Sequence, residues 1–266
     1  MIDLPVILAT LASGAAIGLI LGLVGGGGSI LAVPLLVHVV GVRSPHVAIG
    51  TAAVAVALNA LAGLVGHAHA GTVKWRCGAV FAGSGVAGAL TGAALGKAFD
   101  GQRLLLLFGA LMIGVGLSML RKRRAMPAPD VRLTRDSAAE LLPRLVPIGL
   151  GVGLISGFFG IGGGFLIVPG LVAATAMPLV NAIGTSLVAI SAFGLSTAGS
   201  YAASGLVDWV LVALLVAGGV VGSAFGIWVG RRLADRKRAL ELGFSAVVIA
   251  VGAYVMVKAG IAVTAH

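Results

Sequence analysis

Carboxylates are scarce in this sequence. Its 266 residues include 8 Asp and Glu against 18 Lys and Arg, and charged residues of both signs amount to 10%. Soluble domains carry roughly 25%, so there is too little charge here to cover a water-facing surface. The acids that exist avoid the apolar stretches. Asp3, Asp100, Asp130, Asp136, Glu140, Asp208 and Asp235 fall at segment ends or between segments, and Glu241 lies only a few residues inside one. Cation carriers place Asp or Glu inside the membrane, and this chain has none there for Na⁺. A single cysteine, Cys77, excludes an intrachain disulfide and any CxxC metal site. A nucleophile–base pair, an HExxH run and paired intramembrane aspartates are all missing, which argues against an enzyme. His67 and His69, two apart, fall on different helix faces, and His38 and His46 flank a loop. With no third ligand at a useful spacing, they read as interfacial, and no metal or cofactor is expected.

What the chain has in abundance is apolar length. Hydrophobic residues make up 59%, and the mean hydropathy is +1.14. Val6 to Val42 contains no charged residue, and neither does Leu145 to Val207. Apolar runs beyond about 18 residues read as membrane spans, so the lipid bilayer is the first partner. The N-terminus has no basic residue before Arg43, unlike a secretory leader, and is expected to be a retained span. The formal net charge of +10 does not point to nucleic acid, because the bases cluster: seven between Arg121 and Arg144, five between Arg231 and Arg238. Bases packed into short segments beside spans mark cytoplasmic loops. Arg43, Lys74, Arg76 and Lys97 read as loop charges at the mouth.

The chain repeats itself. A shift of 135 residues lays Gly25–Gly28 on Gly160–Gly163 and Val33-Pro34 on Val168-Pro169. Past a one-residue deletion, a shift of 134 lays Ala48-Ile49-Gly50-Thr51 on Ala182-Ile183-Gly184-Thr185, Trp75 on Trp209, and Gly88, Gly92 and Gly96 on Gly222, Gly226 and Gly230. The expected organisation is a first transmembrane repeat over 1–120, a basic cytoplasmic linker over 121–144 with little fixed structure, and a second repeat over 145–266. The fold class is an all-α integral membrane protein with roughly eight to ten membrane segments. An odd number of crossings per half, giving inverted repeats, keeps both basic loops on one side. Four crossings per half would make the repeats parallel and put Arg231–Arg238 outside, against the charge rule. The glycines four apart form the small-xxx-small pattern that lets helices approach closely.

The glycine runs raise the functional question. Glycine weakens a helix by about 1 kcal/mol relative to alanine, so each run predicts a break. Broken backbone at membrane depth is tolerated only where protein or a water-filled cavity satisfies it. Paired breaks in repeats are a recurrent plan of secondary transporters, here with two half-helix ends expected to meet at a central cavity. Short helices starting near Ser29 and Gly164 present N-terminal amides to an anion without a cation. The expected substrate-binding residues are Gly25, Gly26, Gly27, Gly28, Ser29, Gly160, Gly162, Gly163 and Gly164 at the breaks, with Thr51, Asn59, Thr185 and Ser186 as donors from the spans. Thr51 and Thr185 rank highest because the repeat supplies them twice. Asn59, whose repeat partner is Phe193, is either a helix–helix hydrogen bond or an asymmetry made for an asymmetric ligand. Ser156, Ser191 and Ser196 complete the polar set.

The glycine runs each followed by Val-Pro, the stretch Ala182 to Leu187 with its echo Ala48 to Thr51, and the tryptophan opening the third segment resemble the TauE/SafE family of sulfite and organosulfur anion exporters. The resemblance covers nearly the whole chain. It implies a multi-pass carrier of the bacterial inner membrane that exports sulfite, sulfoacetate or a related organosulfonate by alternating access. The alternatives are a passive anion channel or an importer of a related oxyanion. A homodimer is compatible with the sequence, which does not fix the oligomeric state. This chain has Gly50-Thr51-Ala52 where its second half has Gly184-Thr185-Ser186, so a pocket drawing on both is not symmetric.

Overall fold

The computed structural model describes residues 3–24, 26–120, 133–160, 164–232 and 237–264. The order is α1 (Leu4–Val24), a single 3-10 turn (Gly26–Gly28), α2 (Ser29–His38), α3 (Pro45–His69), α4 (Trp75–Ala98), α5 (Gly101–Leu120), α6 (Arg135–Phe159), α7 (Gly164–Thr175), α8 (Leu179–Ala203), α9 (Trp209–Arg232) and α10 (Lys237–Thr264). Eight of these helices are long and apolar enough to cross a membrane; α2 and α7 are the short ones. No strand occurs among the described residues. The chain is an all-α, multi-pass membrane protein.

Glycine decides which helices touch. On the α1–α9 seam, Gly14 faces Leu215, Gly222 faces Ala15 and Gly226 faces Leu19, so the two helices run parallel, backbone against backbone. The α4–α6 seam has the same construction: Gly153 sits on Gly85, Gly157 on Ala89, and Gly92 between Leu154 and Phe158. A methyl group at any of these glycines would fall on a facing main-chain atom. Small residues are favoured in membrane helix pairs because lipid gives no hydrophobic drive, and close van der Waals approach replaces it.

Two further pairs run antiparallel. Gly194 lies against Ala57 while Gly50 lies against Tyr201, which sets α3 against α8. Gly109 lies on Gly252 and Gly116 on Ile249, which sets α5 against α10. There the buried Ser245 hydroxyl donates to the Gly116 carbonyl at 2.6 Å.

Helix α6 begins inside the segment the sequence assigns to a loop. Thr134 caps it: its hydroxyl accepts from the Ser137 N–H, and the Ser137 hydroxyl accepts from the Thr134 N–H at 2.9 Å. This reciprocal box starts the helix before two prolines, Pro143 and Pro147, which it then tolerates. Residues 121–132, most of the expected linker, lie outside the described residues. Trp75 and Trp209 do open helices, and both rings are exposed, as expected of interfacial anchors.

If these seams hold the bundle, Gly153→Leu and Gly222→Leu will each lower the unfolding temperature of the detergent-purified protein by several degrees. Gly151→Leu, on the same helix but with nothing within 4 Å of the added carbon, will not. The comparison is a thermal melt of the three variants, with overpacking costing about 1–3 kcal/mol or more.

Candidate functional site: the glycine turns and the buried hydroxyls

Both glycine runs interrupt helices, and each interruption is a hairpin turn. Gly28 packs back onto Ile17 and Leu21 of α1, and Gly27 lies 2.8 Å from the Phe244 ring as measured to an added Cβ. The second turn starts at Gly160, which holds φ +63°, a left-handed cap that suits glycine. Its N–H returns to the Ser156 and Gly157 carbonyls. Helix α7 then runs back along α6, with Gly170 against Ile148 and Val152. Gly164 and Ser29, which open the two short helices, are buried. Gly25, Gly162 and Gly163 lie outside the described residues.

The first turn lies against α7 and touches α8, and α2 also touches α7, so the two interruptions pack against each other's elements. Gly28 is level with Ile17–Leu21, and Gly18 reaches α3 near Asn59 through Gly219. Gly160 lies on Ile49, ten residues earlier on α3. At 1.5 Å rise per residue the Gly160 tip of the second turn is about 15 Å in depth from Gly28, the inner end of the first.

The two threonines singled out by the repeat are apart, because α3 and α8 are antiparallel and each threonine lies in the second turn of its helix. Both are fully buried, and each hydroxyl accepts a backbone N–H from the start of another helix. Thr51 Oγ1 accepts from Asp208 N at 3.0 Å, and Thr185 Oγ1 from Lys74 N at 2.9 Å. The glycine before each threonine lets that chain segment close in: Gly50 lies under the Leu206 carbonyl and Gly184 under Thr72. Asn181 tightens the second contact by donating to the Thr72 carbonyl at 2.9 Å, and His67 shares a 2.9 Å hydrogen bond with the Thr72 hydroxyl. The Ala-Ile-Gly-Thr motif is thus a latch that fastens the α8–α9 turn to α3 and the α3–α4 turn to α8.

The other expected donors divide. Ser186 bonds the Ile183 carbonyl of its own helix at 2.7 Å, and Ser191 and Ser196 do the same with Leu187 and Ala192. Asn59 occupies the space left by Gly219, the counterpart of Phe193 filling the space left by Gly85. Its Oδ1 is buried without a partner among the described residues. The histidines sit at helix ends. His38 carries a pKa below its usual value, chiefly through burial and secondarily through the Lys258 charge. Three potential metal ligands do not come together among the described residues.

Symmetry did not bring forward three further hydroxyls on α6 and α8: Ser156, Thr197 and Tyr201. All are 0% exposed, and none has a hydrogen-bond partner among the described residues. Of these the sequence flags only Ser156. Their repeat counterparts are Leu21, Gly63 and His67, so a search for duplicated polar residues passes over them. Lys97 also differs from a plain loop charge. It is half-buried, its Nζ donates to the Ser200 carbonyl and the Ser204 hydroxyl at 3.0 Å each, and it stands 5.8 Å above the Tyr201 ring.

Removing a latch acceptor will strand a buried N–H, at a cost of about 1–3 kcal/mol. Thr185→Val will therefore lower the unfolding temperature, and Thr185→Ser, which keeps the acceptor, will stay close to the parent. Equal melts for all three proteins would mean that the hydroxyl is not holding the α3–α4 turn.

Known proteins resemble this chain in sequence. The family described as "Sulfite exporter TauE/SafE" matches residues 10–255. A protein of Xylella fastidiosa (strain Temecula1) named "Probable membrane transporter protein" is 48% identical over 250 residues, covering 94% of this chain and 95% of its own. The Bacillus subtilis "Probable membrane transporter protein YunE" is 31% identical over 82% of this chain and 87% of its own. No solved structure matches. With eight spanning helices, paired glycine hairpins and a match across nearly its whole length, the chain belongs to the sulfite exporter TauE/SafE family of membrane transporters.

Proposed function

We propose that this protein is a secondary carrier that exports a small sulfur-containing anion, sulfite or an organosulfonate, across the bacterial inner membrane. The observation that carries the reading is the set of buried hydroxyl donors, without hydrogen-bond partners among the described residues, in spans that hold essentially no carboxylate. Hydroxyl groups can donate to oxyanion oxygens, and an interior free of negative charge does not repel them. The family supplies the sulfur-anion class.

The two halves read as inverted repeats. Equivalent helices α3 and α8 run antiparallel, as do α5 and α10, which supports a pseudo-twofold axis lying in the membrane plane. The same directions bring the end of α5 and the end of α9, which flank the two basic segments, to one end of the bundle. By the charge rule that end is cytoplasmic and both termini are outside. A reporter that works only in the cytoplasm, fused after His266, will be inactive; an active fusion would revive the parallel arrangement.

Alternating access then follows the seams and not the sequence halves. The glycine seams bind α1 to α9 and α6 to α4, each a partner from the opposite half. The natural bodies are α1, α2, α3 and α9 on one side and α6, α7, α8 and α4 on the other. The chain crosses between them at the α3–α4 and α8–α9 turns, where Gly71 and Gly205 both hold positive φ, +66° and +69°. Two reducible cross-links separate this from rocking of the halves, in a background with Cys77→Ser. Gly78→Cys with Val188→Cys joins α4 to α8 inside one body; an added Cβ at Gly78 is 3.5 Å from Val188 Cβ, within disulfide reach. Gly63→Cys with Leu187→Cys, bridged by a short reducible bis-thiol crosslinker because only the Leu187 methyl carbons come within 4 Å of an added Cβ at Gly63, joins α3 to α8 across the bodies. Sulfite counterflow in proteoliposomes will survive the first bridge and stop with the second until it is reduced. Loss of counterflow with both bridges would restore the halves as the moving units, and flux without saturation or counterflow in the parent would make the protein a channel.

A further inference from the structure

The unpaired hydroxyls beside the second glycine turn point to a ligand position that the repeat does not duplicate. Helix geometry brings two of them toward one space. On α6, Gly153 and Gly157 face α4, while Val152 faces α7; Ser156 falls between these directions. On α8, Gly194 faces α3 and Phe193 faces α4; Thr197 falls between them. Gly160, one turn beyond Ser156, lies on Ile49 at the start of α3. Gly50, the next residue, lies 2.9 Å from Tyr201 Cβ as measured to its added carbon, one turn beyond Thr197. The start of α3 therefore joins the end of α6 to the part of α8 that carries Thr197 and Tyr201. The helix segments that meet at this junction carry three hydroxyls, all fully buried and without partners among the described residues. A buried hydroxyl without a partner costs about 1–3 kcal/mol, so three in one neighbourhood call for a bound group that accepts from them.

Lys97 gives the sign of that group. It lies over the Tyr201 ring, and its hydrogen bonds go to a carbonyl and a hydroxyl. No carboxylate comes within 4 Å of its Nζ among the described residues. Its charge is therefore left uncompensated at the end of α4, next to the hydroxyls. The corresponding neighbourhood at the first turn carries Leu21 and Gly63 in place of Ser156 and Thr197, and its own unpartnered buried groups are the Ser13 hydroxyl, one turn before Ile17, and the Asn59 amide oxygen.

We infer that Ser156, Thr197 and Tyr201 form an oxyanion-binding site beside the Gly160 turn, with Lys97 at its mouth, and that the Gly26–Gly28 turn has no such set of three hydroxyls. This rests on the carrier reading above and gives it a location. The site takes a pyramidal or tetrahedral head group whose oxygens accept from hydroxyls, as in sulfite or a sulfonate, and it lies nearer the end of the bundle where both termini lie.

The test is equilibrium binding of sulfite, and of thiosulfate as a second probe, to the purified full-length protein. Ser156→Ala, Thr197→Val and Tyr201→Phe will each weaken binding about tenfold or more, the loss expected for a hydrogen bond to a charged group. Thr197→Ser, which keeps the hydroxyl, will retain binding, so a folding defect of the valine variant is recognisable. Ser191→Ala, whose hydroxyl bonds its own helix, will bind like the parent. Lys97→Gln will bind more weakly and with less dependence on salt, because the screened charge is gone. Saturable binding that is unchanged in all three hydroxyl variants would overturn this site and leave the carrier reading standing, with the hydroxyls holding structural water only. A parent protein that saturates with neither anion would overturn both.

Discussion

Helix α1 lies on α9, and α6 on α4, only because glycine leaves no side chain between them. Lipid tails give packed helices no hydrophobic advantage over separated ones, so the bundle depends on backbones that approach to van der Waals contact. Each seam takes one helix from either half of the sequence. The halves are therefore interlaced, and neither has its full set of close neighbours alone. The fastening of the α3–α4 and α8–α9 turns by Thr185 and Thr51 follows from the same interlacing, since a chain that crosses from one half's helices to the other's needs its crossing points held.

The interior is built for a negative guest by omission as much as by design. Carboxylates keep to segment ends, and among the described residues the buried polar residues are hydroxyl-bearing ones and one amide. In a low-dielectric interior an unpaired donor is costly, and the same property makes it a strong partner for an anion that has shed water. Weak, neutral donors suit a carrier, which has to release what it binds; a buried ion pair would hold more tightly than turnover allows. The proposed site beside Gly160 uses three such donors and keeps its one cation at the mouth.

The membrane class, the start of α4 at Trp75 and of α9 at Trp209, and the short helices after the glycine runs were legible because each rests on local chemistry: apolar length, an interfacial ring, a helix breaker. The small-xxx-small runs identified contact faces but not their partners, which depend on how the halves interlace. Sequence symmetry gave Thr51 and Thr185 prominence, and the structure shows why they recur: both latches are needed, one at each end. Ser156, Thr197 and Tyr201 recur nowhere, and their lack of partners is a property of the packed bundle that no spacing encodes. The start of α6 at Arg135 was hidden behind two prolines and a run of charges; the cap made by Thr134 and Ser137 is the signal that reveals it.

Selenite, a heavier relative of sulfite with the same pyramidal shape, offers the most direct measurement. A structure of the purified protein determined in its presence is predicted to show the anion between α6 and α8, beside Gly160 and within hydrogen-bonding distance of the Ser156 and Thr197 hydroxyls. Selenite seated instead at the Gly26–Ser29 turn, or found only among exposed lysines and arginines while the hydroxyls hold water, would contradict the asymmetric hydroxyl site.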